Sequence, residues 1–140
     1  MTDFVVDASV AVKWFVPEAD SEAALKLLAS ADQLYAPSLL ALELANAIRK
    51  NVSLGRVDRS VWREASAQIP RFVQLFDTSS AQLDVAFGLA VDFGHPVYDC
   101  IYLALAVERG CQLVTADAKF MSKLAGTVHA DRFVLLSQFR

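Results

Sequence analysis

Asp3-Phe4-Val5-Val6-Asp7-Ala8-Ser9 places three consecutive apolar residues between two carboxylates, and Leu113-Val114-Thr115-Ala116-Asp117 again follows an apolar run with a carboxylate more than a hundred residues later. A short apolar run, rich in β-branched residues and bounded by polar ones, fits a strand covered on both faces, as parallel sheets require. Strands are therefore expected over 3–7 and 112–115. Between and beyond them, helical and extended segments alternate. A helical turn or two is expected over 9–16, closed by Pro17, because the residue before proline avoids the αR region. Asp20-Ser21-Glu22 opens a helix to about Ala31, with Ala24, Leu27, Leu28 and Ala31 on one face.

Further strands are expected over 33–36, 72–76 and 133–136. Ser38 reads as the N-cap of a helix that Gly55 ends. The helix opening at Asp58-Arg59-Ser60 runs through Trp62 and Ala65 to Ile69 and is interrupted by Pro70. Ser79-Ser80 caps a helix to Gly94. Two more run from about Tyr98 to Arg109 and over 118–124. Alternation of this kind predicts an α/β fold, an α/β/α sandwich with a mainly parallel central sheet, and residues 1–140 read as a single domain.

The totals bound the function. The chain has 140 residues, 55% of them hydrophobic, and a mean hydropathy of +0.36, so an apolar patch beyond one core is expected, most simply a homodimer contact. Thirteen basic and 16 acidic residues give a net charge of -3, unlike a dedicated nucleic-acid binder but compatible with an enzyme that engages nucleic acid through a metal. Charged residues break every apolar run short of a membrane span, and the N-terminus lacks a basic signal-peptide region, so no membrane partner and a cytoplasmic location are expected. Cys100 and Cys111 lack CxxC spacing and read as buried thiols.

The candidate chemistry lies in four acids, Asp7, Glu43, Asp99 and Asp117, each at the edge of or inside an apolar segment. Taken singly, Asp7, Asp99 and Asp117 are ordinary turn or helix-capping residues and Glu43 a solvated helix position. Asp7 and Asp117 both follow strands, however, and ligands of open α/β sheets bind beyond the carboxyl ends of the strands. Gathered in one place, four carboxylates repel unless a cation neutralises them, and a hard Mg²⁺ or Mn²⁺ suits such oxygen ligands and phosphodiester hydrolysis. Ser9 and Thr115 stand two residues from Asp7 and Asp117, and Asn46 three from Glu43, where each could orient a carboxylate or simply cap backbone. Lys13, Arg49, Lys50 and Arg56 are candidate phosphate guides or solvated helix charges. Trp14 reads as a base contact or as core. His95 and His129 have no partners at zinc-ligand spacing. A GxxxxGK[ST] loop, a GxGxxG fingerprint and a GxSxG elbow are all absent from the sequence.

Four blocks in order carry a resemblance. They are Val6-Asp7-Ala8-Ser9-Val10-Ala11-Val12-Lys13-Trp14-Phe15, Leu42-Glu43-Leu44-Ala45-Asn46-Ala47, Tyr98-Asp99-Cys100-Ile101-Tyr102-Leu103-Ala104-Leu105-Ala106, and Leu113-Val114-Thr115-Ala116-Asp117-Ala118-Lys119-Phe120. Over nearly the whole chain they resemble PIN domains of the bacterial VapC-type toxins. The resemblance implies a Mg²⁺- or Mn²⁺-dependent endoribonuclease in which Asp7, Glu43, Asp99 and Asp117 form the metal-binding acidic cluster, supported by Thr115 and Asn46, with Ser9 added from its place beside Asp7. It also implies an RNA substrate, a homodimer, and a small antitoxin whose C-terminal segment covers the active-site groove. Some relatives carry a further acid just after the fourth, where Ala118, Lys119 and Phe120 stand here. The other reading is a non-catalytic acidic pocket, an inactive PIN-like or receiver-like binding module.

Overall fold

The computed structural model describes residues 2–139. Five strands, β1 (Asp3–Val6), β2 (Gln33–Pro37), β3 (Gln74–Phe76), β4 (Gln112–Thr115) and β5 (Phe133–Leu135), form one sheet in the order β3-β2-β1-β4-β5. Every neighbouring pair is parallel. Seven α-helices connect them among the described residues: α1 (Ala8–Ala11), α2 (Ser21–Ser30), α3 (Leu39–Ser53), α4 (Ser60–Phe72), α5 (Ser80–Phe93), α6 (Val97–Arg109) and α7 (Ala118–Lys123).

The chain leaves β1 towards β2 and β3, then crosses back to β4 and β5 on the other side. Right-handed crossovers put α1–α4 on one face of the sheet and α5–α7 on the other, which makes the α/β/α sandwich. Packing agrees: α3 touches α1 and α4, while α6 lies against β1, β2 and β4 with α5 on its outer side. That double cover explains why residues 100–106 of α6 are buried at every position. Val5, Val6, Leu113 and Val114 are almost wholly inaccessible at the sheet centre. The reversal of direction falls between β1 and β4, so the two strands that carry acids at their carboxyl ends are neighbours at the switch point.

Three local expectations are corrected. α4 is not interrupted at Pro70 but continues to Phe72, and the following strand starts at Gln74. Proline removes one helical hydrogen bond, but Val73 N–H still reaches Ile69 O at 2.9 Å. The last turn also seats Phe72 on Phe15 (6.2 Å between ring centres, stacked) and edge-on to Trp14 (5.9 Å). Ser38 does stand at the N-cap position of α3, but it is helical in φ/ψ and its side chain caps nothing; its N–H donates to Phe76 O at 2.7 Å instead, tying the start of α3 to β3. Leu136 belongs to a terminal 3₁₀ turn rather than to β5. Ser79 caps α5 as expected, in a capping box with Gln82.

Candidate active site

The register of the central strands sets the geometry. Val6 pairs with Val114, so Asp7 and Thr115 are the next residues along two adjacent parallel strands. Thr115 Oγ1 donates to Asp7 Oδ2 at 2.6 Å, and Ser9 Oγ donates to Asp7 Oδ1 at 2.5 Å. Asp7 is also the N-cap of α1, accepting from Val10 N–H at 3.3 Å. The backbone closes the loop from the other strand: Ala116 N–H donates to Ser9 Oγ (3.0 Å) and Asp117 N–H to Thr115 Oγ1 (3.1 Å). Each hydroxyl thus accepts from β4's exit and donates to Asp7. Two short residues fix the carboxylate in both plane and position.

Glu43 comes from α3, three residues past the fully buried Leu40 and one before the fully buried Leu44. It projects to the margin of the core rather than to open water. There the phenol of Tyr102, on α6 and 1% exposed, donates to Glu43 Oε1 at 2.6 Å. Asp99 sits in the first turn of α6, where the N-terminal helix dipole favours a carboxylate. Its Oδ2 lies 2.6 Å from His95 Nε2. Asp117 is exposed and caps α7, accepting from Lys119 N–H at 2.9 Å.

Electrostatics couple three of the four. Burial raises the Asp7 pKa to about 6 despite the opposing pull of Ser9, Thr115 and the Val10 amide, and the negative charge of Asp99 pushes it further up. Glu43 is raised by burial, held back by the Tyr102 hydrogen bond, and raised again by Asp99. Asp99 is therefore the charge felt from both sides. Tyr102 titrates far above the ordinary phenol because burial and its contact with Glu43 disfavour a second negative charge, so it serves as a donor only. Among the described residues no Lys or Arg ion-pairs with any of the four acids. Nor do any three acid, histidine or cysteine side chains there converge into a finished cation cage. Each acid is held instead by its own hydrogen bonds. The all-oxygen donor set and the uncompensated charge fit a hard divalent cation.

Beside Glu43 opens a groove of about 610 Å³. Its walls include Leu42, Asn46, Lys50, Leu54, Arg56 and Tyr98. Asn46 is on the groove but bonded to Arg49 Nε at 3.0 Å, not to Glu43. Lys13 is not free to guide a phosphate: its Nζ is held by Glu18 Oε1 (3.1 Å) and Ala19 O (2.7 Å). Trp14 is structural, donating from Nε1 to Ala24 O at 2.8 Å. Sequence reasoning missed Tyr102 and His95, which bond to acids from α6 and from the turn just before it. His95 had one available signal, its place four residues before Asp99; Tyr102 had none, because its partner Glu43 lies 59 residues away.

Comparison with known proteins points the same way. Residues 4–126 match the PIN domain family. The chain is 33% identical over 129 residues to ribonuclease VapC3 of Pyrobaculum aerophilum, covering 89% of this chain and 96% of that protein. The crystal structure of PAE2754 from Pyrobaculum aerophilum superposes with a TM-score of 0.71 at 25% identity, over 97% of this chain and 90% of the other. A toxin–antitoxin complex from Klebsiella pneumoniae contains a chain of the same fold, with a TM-score of 0.69 at 16% identity over 94% and 96% of the two chains. The matched span takes in both strand-end acids, the α3 glutamate and the head of α6, and the chain belongs to the PIN domain family.

Proposed function

We propose that the chain, acting as one domain over 1–140, is a Mg²⁺- or Mn²⁺-dependent endoribonuclease and the toxin of a toxin–antitoxin pair. The observation that carries this reading is the treatment of Asp7: a carboxylate pinned by two hydroxyls at the sheet's switch point, buried at a cost, and raised further by the charge of Asp99, with no Lys or Arg among the described residues paired to either acid. Support comes from VapC3, a relative named as a ribonuclease.

Asp7, Glu43, Asp99 and Asp117 are the proposed metal ligands. Bound there, the ion would activate the attacking water as a Lewis acid and neutralise charge developing on the phosphate. The protein's share is positioning. Ser9 and Thr115 keep the Asp7 carboxylate in place, and Tyr102 does the same for Glu43, so these acids need no reorganisation when substrate arrives. Lys50 and Arg56 line the groove next to Glu43 and would draw a phosphate chain towards it. An open groove with Tyr98 at its edge suits single-stranded or looped RNA, whose bases are free to stack.

Two exposed apolar areas supply the proposed protein contacts. Leu42 (74% exposed), Leu54 (65%) and Tyr98 (58%) ring the groove and would receive the antitoxin's covering segment. Leu83, Phe87 and Val91 project from α5 on the opposite layer and would pair with a second copy. Among the described residues no helix is long and apolar enough to cross a membrane, and a cytoplasmic setting is part of the proposal.

The test is cleavage of a mixed structured RNA pool and of a circular RNA, with Mg²⁺, with Mn²⁺ and with EDTA, alongside Asp7→Asn. Metal-dependent opening of the circle that Asp7→Asn abolishes is expected. Equal activity in EDTA or in the variant would overturn the reading. A folded protein that binds Mn²⁺ and turns over no RNA would favour the non-catalytic acidic pocket.

A further inference from the structure

His95 is a largely buried polar side chain beside the acids, its side chain 7% exposed against 38% for the Asp99 it touches. Everything around it fixes the ring. Gly94 ends α5 in the left-handed region (φ 60°), and His95 N–H returns to Ala90 O at 3.1 Å. Pro96 follows as the N-cap of α6. The imidazole stacks on Phe120 with ring centres 4.2 Å apart and planes 7° from parallel, and Phe120 is in turn edge-on to Phe133 at 5.1 Å. Lys123 Nζ clasps Gly94 O at 2.9 Å, tying α7 to the same turn.

The ring's polarity is spent in one place. Nε2 lies 2.6 Å from Asp99 Oδ2, while Nδ1 is buried without a hydrogen-bond partner. A carboxylate can only accept, so Nε2 carries a proton and donates, while Nδ1 stays buried and unpartnered. Packing alone would be better served by a wholly apolar ring, which strands no nitrogen. The contact therefore buys orientation of Asp99: one oxygen is anchored to a ring that cannot turn, and Oδ1 is left without a protein partner among the described residues.

We propose that His95 is a positioning residue for Asp99, holding its carboxylate through Nε2–H so that Oδ1 is presented to the cation site shared with Asp7 and Glu43. This rests on the metal-dependent reading of the same site. It differs from that reading in what fails: the site's acids would remain intact without His95, but one of them would swing.

The experiment uses the full chain in two variants. His95→Phe keeps the stack and removes the donor; His95→Gln restores a side-chain N–H near the position of Nε2. Mn²⁺ affinity by calorimetry is the first readout, with melting in EDTA as the fold control and single-turnover RNA cleavage as the third. His95→Phe is expected to melt at or above the wild type and to bind Mn²⁺ about tenfold more weakly, with His95→Gln recovering most of the loss. Wild-type Mn²⁺ affinity in His95→Phe would overturn the proposal. So would an equal loss in both variants accompanied by lowered melting, which would make the ring a packing residue. With only two histidines in the chain, ¹⁵N spectra of the wild type give an answer independent of variant folding: a proton on Nε2 is expected for His95, and a ring protonated on Nδ1 alone would overturn the assignment. A wild type that binds no Mn²⁺ at all would remove the metal reading itself, and this proposal with it.

Discussion

Replacing Asp7 by Asn should make the metal-free protein more stable while abolishing cleavage. Burial raises the Asp7 pKa from the ordinary 3.8 to about 6. At about 1.4 kcal/mol per pH unit, ionised Asp7 then costs the folded state about 3 kcal/mol at neutral pH. The sign follows from proton counts. Between pH 3.8 and 6 the folded protein binds more protons at this site than the unfolded chain, so stability falls as pH rises through that window and levels off above it. Asn removes the charge but weakens the bonds from Ser9 and Thr115, which lose a charged acceptor. The net gain expected at pH 7.5 is about 1–2 kcal/mol, or about 3–6 °C in Tm. Thermal melts of both proteins in EDTA at pH 7.5 and pH 4.5 check it, and the gap should shrink at the lower pH, where wild-type Asp7 is already protonated. A variant that melts below the wild type at pH 7.5, or a gap unchanged between the two pH values, would refute the claim that charge burial is what Asp7 costs.

Mn²⁺ at a hundred times its dissociation constant should stabilise the wild type by about 2.7 kcal/mol and leave Asp7→Asn nearly unmoved, as read by melting in a metal titration. Tyr102→Phe removes the donor on Glu43 Oε1 and should cost about 1–2 kcal/mol, together with reduced cleavage at saturating RNA; unchanged turnover would show that Glu43 needs no anchor. Ser79→Ala deletes the capping box of α5, far from the acids, and should cost about 1 kcal/mol with cleavage per folded molecule unaltered.

The fold was legible where local and global preferences agree. Phe4-Val5-Val6 and Leu113-Val114 admit no helical face, and both are buried neighbours in the sheet. Gly94 and Gly110 end their helices with positive φ, as helix stops should. Reading failed where a distant contact outweighed a local rule. Pro70 is a helix breaker by its own chemistry, yet the aromatic stack of Phe72 on Phe15 holds the turn beyond it. Lys13 failed for a nearer reason: it looked like a free cation beside the first acid, but the chain turns after Pro17 and brings Glu18 and the Ala19 carbonyl, five and six residues on, to its ammonium.

The same contrast separates the acids from their anchors. A carboxylate at the end of an apolar run is visible because it is expensive there, and the expense needs an explanation within the sequence itself. Tyr102 and His95 raise no such alarm. One is an aromatic in a helix buried on all sides, and the other precedes a proline in a turn. Their importance exists only through the oxygen each one holds, across 59 residues from Tyr102 to Glu43 and across the α5–α6 turn from His95 to Asp99. Such donors are also what makes each acid tolerable where it stands. A lysine or arginine in their place would satisfy the acids more strongly and would compete with any cation for the same oxygens. Ser9, Thr115 and Tyr102 fix position without cancelling charge, and under the proposed function the cost of burying ionised Asp7 is what a divalent ion would relieve.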